Sequence, residues 1–245
     1  MKHIPNIANE ESLKALHRAK KRSMEWGEFS HGPDGRELRL NKAREQKGMC
    51  GYCECLLTDE GITEFKKEGH LDHFYPRNKG VEAKPQLQYD WDNLILSCTN
   101  NDSCGKYKDS DHHNILPSQI INPRHENPRD YITFVIDEEG RGIEGWKNVT
   151  AVARESLGED MRRRAQNTID ALNLNSMRLR VRRKNALVVE VGDVDAYEEQ
   201  LASCSSEDEI DEIRKWLLEY ENSLEEKEFS STLLSYAHSK WGEIT

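Results

Sequence analysis

From Glu10 to about Gln46 the apolar positions recur at helical spacing among basic residues, in ESLKALHRAKKRSMEW and again in LRLNKAREQKG. The stretch HGPDGRE interrupts them, and its Gly32–Gly35 cluster predicts a turn. Residues 48–110 break the rhythm, with cysteines, glycines, histidines and aromatics that allow only short elements. In INPRHENPRDYITFVIDEEGRGIEGW the alternation of YITFVID predicts a strand, and Glu139-Gly140 a hairpin turn. From about 150 to 184 the pattern is that of basic helices. AYEEQLASCSSEDEIDEIRKWLLEYENSL predicts more helix, its second half capped by Ser205 or Ser206. No repeat or low-complexity segment interrupts the chain. The expectation is an α+β fold with a small centre at 48–136, between a helical segment at 1–47 and a helical region at 137–245.

The 245 residues are 36% hydrophobic and 33% charged, enough for a core beneath a wet, helix-rich surface. No apolar run approaches the roughly 20 residues of a membrane span. The start, MKHIPNIANEES, lacks the pattern of a secretory signal. These features predict a soluble, cytoplasmic protein with no membrane partner. A net charge of −10 argues against binding nucleic acid by bulk charge. The charge is segregated, however: arginines crowd 161–184, and acids dominate 190–245.

That asymmetry makes Arg162, Arg163, Arg164, Arg178, Arg180, Arg182, Arg183 and Lys184 candidates for phosphate contacts. Pairing of these groups with the acidic tail or with a partner protein is the alternative. Arg18, Lys20, Lys21 and Arg22 are a weaker version of the same idea.

The cysteines change the picture of the centre. Cys50 and Cys53 are separated by two residues, Cys98 and Cys104 by five, and Cys55 follows the first pair. Two close pairs without a secretory signal suit a structural zinc ion held by four thiolates. Gly51 would help the first pair turn. Cys55 could replace Cys53 as a ligand, and reduced buried cysteines without metal are the plain alternative. Cys204 stands alone in a helical context as a small apolar residue.

Between the pairs lies HLDHFYPRNKG, then WDNLILSC. Phosphodiester cleavage needs a water, a base for its proton, and positive charge on the phosphorane. His73 suits the base, with an ordinary pKa near neutrality. In an extended segment Asp72 points away from His73 unless the backbone bends. The plain alternative is a hydrogen-bonded turn in which Asp72 satisfies His70 and His73.

The order Cys-x2-Cys, Asp-His-x2-Pro, Asn-Leu, Cys…Cys, Lys resembles the HNH endonucleases, whose active unit is a ββα-metal fold. REQKGMCGYCE, HLDHFYPRN, WDNLILSC, CGKYKD and INPRHENPRDYITF together resemble the PtuB-type members, effectors of Septu anti-phage systems and of some retrons. The likeness covers about residues 40–136. It implies Asp72 as ligand to a catalytic Mg2+ or Mn2+ ion, His73 as general base, and Asn93 as holder of the loop that orients His73. His70 would be a companion of lesser rank. Lys108 would neutralise a phosphate, or be a plain surface lysine.

Many HNH enzymes place His or Asn after the last Cys as another ligand, where this chain has Gly105. Asp109, one helical turn on, is the first substitute. Asn101 and Asp102 come next, then His112 and His113. The resemblance also implies an ABC/SMC-like ATPase partner of the PtuA type. A retron reverse transcriptase with its RNA–DNA, and a nucleic-acid substrate, complete the implied partners.

Overall fold

Residues 1–57, 69–78, 80–138, 146–204 and 206–242 are described by a computed structural model of the chain. Asn9 caps α1 (Glu10–Lys21) by accepting from the Ser12 amide at 3.0 Å, and acids open the helix where bases close it. α2 (Trp26–His31) and α3 (Pro33–Glu45) meet at Gly32. The expected turn at Gly32–Gly35 is therefore confined to one residue. Pro33 opens α3 in the first turn, where its missing N–H costs nothing. Gly35 lies so close to the Phe29 carbonyl that no Cβ fits there.

β1 (Gly69–His73) pairs antiparallel with β2 (Leu94–Cys98), placing Asp72 opposite Ile95 and His73 opposite Leu94. α4 (Cys104–Lys108) packs on both strands, so a β-β-α unit lies at the centre of the chain. β2 is buried at every position because α3 also packs against it. The side chain of Gln46 extends the pairing of β2. It accepts from the Leu96 amide at 2.9 Å and donates to the Leu96 carbonyl at 2.8 Å.

A buried ionic knot ties the helical segment to the centre. Glu45 receives both arms of Arg124 at 3.0 and 3.1 Å, Lys42 at 3.1 Å and the Trp91 indole at 3.2 Å. Burial lowers the pKa of Lys42 to about 7, against the pull of Glu45.

β3 (Ile132–Glu138) bears out the strand expected from alternation, and pairs antiparallel with β4 (Trp146–Ala153). The expected turn at Glu139-Gly140 lies outside the described residues. Residues 150–153 belong to β4 and not to a basic helix. Val149 and Ala151 are buried at a spacing of two, where a helix would require three or four.

The remaining helices are α5 (Glu159–Ala171), α6 (Met177–Ser203), α7 (Glu207–Leu224) and α8 (Ser230–Trp241). Ser206 caps α7 in a reciprocal box with Glu209, whereas Ser205 is outside the described residues. The sheet of β3 and β4 packs under α6 and α8, and the division expected at 136 falls inside β3. The acidic tail folds back onto the cysteine region: the Phe229 amide donates to the Glu54 carbonyl at 3.1 Å, and Glu54 accepts from the Ser231 amide at 2.8 Å. The fold is thus mixed α+β, with two small antiparallel sheets. Among the described residues no helix is long and apolar enough to cross a membrane.

Candidate metal centre and adjoining histidine site

The thiols of Cys50, Cys53, Cys98 and Cys104 lie within 4.8 Å of one another, all buried. Such a set could hold a metal ion such as zinc. It is also the only group of three or more His, Cys, Asp or Glu ligand atoms at this spacing among the described residues. Gly51 serves close packing here, and its turning role is not needed. Its backbone conformation is ordinary, but an added Cβ would sit 2.6 Å from Ile95 Cγ2.

Cys104 and Glu54 adopt left-handed backbone, at φ 62° and 64°. The Cys98 amide donates to Cys50 Sγ at 3.3 Å. Burial opposes ionisation of Cys50, yet hydrogen bonds from Cys104, Cys53 and Cys55 overcome it and hold its pKa well below the usual thiol range. Hydrogen bonding from Cys104 lowers Cys98 to about 5. Protons shared in this way are the ones a metal ion displaces. Cys55 is buried against the same cluster, outside the four-thiol set.

Two arginines supply this anionic centre with positive charge. Arg183 is 1% exposed, donates to the Leu174 carbonyl at 2.6 Å and stacks over Phe134. Burial lowers its pKa to about 10, while Cys53, Glu54 and Cys104 act to keep it charged. Arg178 bonds Ser103 at 2.7 Å and pairs with Asp102 at 3.3 Å. Burial opposes its charge, and Asp102 with Cys53 and Cys98 favours it. Arg183 therefore cannot be the phosphate contact expected from the sequence, because solvent does not reach it.

Its neighbours in the basic stretch are engaged as well. Arg164 grips both oxygens of Glu126 at 2.7 and 2.9 Å, and Arg182 pairs with Glu228 of the acidic tail at 2.9 Å. Arg163 pairs with Asp160 at 2.7 Å, and Arg162 donates to the carbonyls of Glu155 and Leu157. Arg180 is half-buried and also has an interaction of its own.

β1 carries Asp72 and His73 to opposite faces, without a bend. Asp72 is 3% exposed and turns toward α4. Its carboxylate accepts from the Tyr52 hydroxyl at 2.5 Å and faces the Lys108 ammonium at 3.5 Å. This explains Gly105: an added Cβ would sit 2.7 Å from the Asp72 carboxyl. The glycine is the floor of the Asp72 site, so a ligand-bearing side chain and this buried aspartate exclude each other.

Lys108 is neither a phosphate contact nor a surface lysine. It is 7% exposed and donates to the carbonyls of His73 at 3.1 Å and Phe74 at 3.4 Å, and to Asp109. Burial opposes its charge, but Asp72 and Asp109 overcome it and raise its pKa. Asp109 is half-exposed, and burial with the Asp72 charge raises its pKa to about 6. An ammonium lies between the Asp72 and Asp109 carboxylates, so Asp72 is open to an ion only once Lys108 moves. Asp109 is the one a divalent ion could reach. His112 stacks on Tyr107 at 5.1 Å, and His113 bonds the Ala171 carbonyl at 3.1 Å.

His73 turns toward α2. Its ring packs edge-on against Trp26, with centroids 4.4 Å apart, and burial lowers its pKa to about 4. Nε2 lies 3.0 Å from the Gln88 carbonyl, which can only accept. Nε2 therefore carries the proton, and Nδ1 keeps a lone pair. Asn93 fixes the turn that follows: its Oδ1 accepts from the Tyr75 amide at 2.8 Å, and its Nδ2 donates to the carbonyls of Tyr75 and Leu87. Tyr52, Trp26 and the Gln88 carbonyl escaped sequence reading. Gly105 hinted only at the close approach of Asp72, since a glycine where a side chain is expected signals such an approach. No family model matches the chain, and no curated protein is significantly similar to it.

Proposed function

We propose that the protein is an endonuclease of the HNH type that hydrolyses phosphodiester bonds, with structural zinc on Cys50, Cys53, Cys98 and Cys104. The observation that carries this reading is His73. It is neutral at physiological pH, its Nε2 is committed to a carbonyl, and Nδ1 is left to accept a proton from water. Lys108 holds the carbonyl of His73 and Asn93 the backbone of Tyr75 just after it, which limits the freedom of the base. Asp109 would hold a Mg2+ or Mn2+ ion, with Asp72 joining it only if Lys108 withdraws. Such an ion, when bound, supplies positive charge to the phosphoryl oxygens.

In this reading the protein is a cytoplasmic effector of anti-phage defence, working with an ABC/SMC-like ATPase of the PtuA type. In a retron it would also work with the reverse transcriptase and its RNA–DNA.

A second reading, a zinc module that binds nucleic acid or the ATPase without cutting, is favoured by the placement of Lys108 where a cation would otherwise sit. The deciding experiment incubates the zinc-loaded chain with supercoiled DNA and mixed RNA. Mg2+ or Mn2+ is added or withheld, with and without the ATPase. The nuclease reading expects cleavage that needs the added ion. No cleavage under any of these conditions overturns it in favour of the binding module.

A further inference from the structure

Beside His73 lies a groove of about 940 Å³ that neither the thiol cluster nor the histidine chemistry requires. Trp26, Leu40 and Leu71 form apolar parts of its lining, and Arg36, Arg39 and Arg77 contribute cations. Trp26 joins the groove to the imidazole, because its ring touches His73 on one side and carries the Arg77 guanidinium at 5.6 Å on another. The consecutive residues Gly69, His70 and Leu71 all line it, as they do where a groove follows a strand edge. Among the described residues the only sheet neighbour of β1 is β2, so that edge has no pairing strand there.

The three arginines differ from those of the C-terminal stretch. No carboxylate among the described residues forms a direct ion pair with them: Arg39 donates to the Ser30 carbonyl at 2.6 Å, and Arg77 lies over the Trp26 ring, with Asp109 and Glu25 acting on its charge only at longer range. The Arg39 guanidinium is depressed by burial and by the Arg36 charge beside it. Like charges held together without a counterion mark a surface that gains by taking an anion.

We propose that this groove binds an unpaired nucleic-acid strand, with Arg36, Arg39 and Arg77 on its phosphates and the apolar floor against a splayed base. The inference rests on the nuclease reading and names the surface that feeds it. A duplex offers a groove mainly phosphate and sugar while its bases stay stacked, so an apolar floor would add nothing to its binding. An unstacked strand uses both the cations and the apolar face.

The test is anisotropy of labelled single-stranded DNA, single-stranded RNA and duplex DNA on the zinc-loaded full chain, over a salt series. The Arg36→Gln/Arg39→Gln/Arg77→Gln variant should bind single strands at least tenfold more weakly. Its log–log salt slope should be shallower by about 0.7 for each phosphate that is no longer neutralised. Arg36→Glu, at an exposed position whose side chain makes no hydrogen bond or ion pair among the described residues, should weaken binding in the same direction if the triple variant misfolds. Arg162→Gln/Arg163→Gln should stay within about twofold of wild type.

A wild type that cuts nucleic acid while both groove variants keep full affinity overturns the groove and spares the nuclease. Preference for duplex, lost in the C-terminal variant, does the same. A wild type that neither binds nor cuts any of the probes overturns both.

Discussion

Two concentrations of arginine flank the same centre, and they meet opposite surroundings. Those of α5 and α6 are numerous and spoken for: Arg183 lies inside beside the thiols, Arg178 meets Asp102, Arg164 holds Glu126 and Arg182 reaches the acidic tail. Those that line the groove by α3 and the turn after β1 are few: Arg36 and Arg39 lie side by side, and none of Arg36, Arg39 and Arg77 has a direct ion pair among the described residues. Density along the chain therefore points to one surface, and pairing in space to another. A set of four thiolates on a divalent ion keeps net negative charge, and buried cations are its natural counterpart. The acidic tail completes the same neutralisation from outside.

The largest expected effect comes from removing the proposed zinc. Structural zinc is worth on the order of 10–16 kcal/mol of binding free energy in small domains. Cys98→Ser, or chelation during mild denaturation, should therefore abolish cooperative melting of the centre, as read by calorimetry. It should also release the arginines of α6 as α6 loses its anchor. Arg183→Met comes next. It leaves the thiolates without their buried cation and should weaken zinc affinity at least tenfold in a competition with a chromophoric chelator, whereas Arg163→Gln should not change it.

Gly105→Ala tests another buried cation, Lys108, through its partner. The new methyl would push Asp72 off its site, so destabilisation of about 1–3 kcal/mol is expected from overpacking, a melting shift of several degrees.

The smallest effect is a pH slope. His73 has a folded pKa of about 4 against an ordinary 6.5, so its burial makes stability rise with pH across that window. Asp109 has a folded pKa of about 6 against 3.8, so its contribution falls as pH rises from 3.8 to 6. The two oppose each other in the wild type. Asp109→Asn removes the second, and its melting temperature should climb more steeply than that of wild type between pH 4 and 6.5. A slope that becomes flatter would contradict the raised pKa of Asp109.

How much of this could be read in advance depends on how local each cause is. The metal set was legible because a two-residue spacing brings two thiols to one ion, and Cys50, Cys53, Cys98 and Cys104 do converge. Strand alternation separates Asp72 from His73, although the family resemblance implied a bend between them, and the pattern of YITFVID made β3 legible. What escaped was long-range. Arg183 finds its carbonyl at Leu174 but its charge partners at Cys53 and Glu54, and Asp72 finds its donor at Tyr52. No spacing rule joins such positions. Gly32–Gly35 misled for a different reason: proline is as much at home in the first turn of a helix as in a loop.

The account stands most directly on His73, which separates cutting from holding. Single-turnover cleavage and anisotropy should be measured together on one labelled single strand, with wild type and His73→Ala, both zinc-loaded and with Mn2+ present. The account predicts that His73→Ala binds within a few-fold of wild type and cuts at least a hundredfold more slowly, in line with the loss of a general base. Cleavage by His73→Ala at the wild-type rate would contradict it.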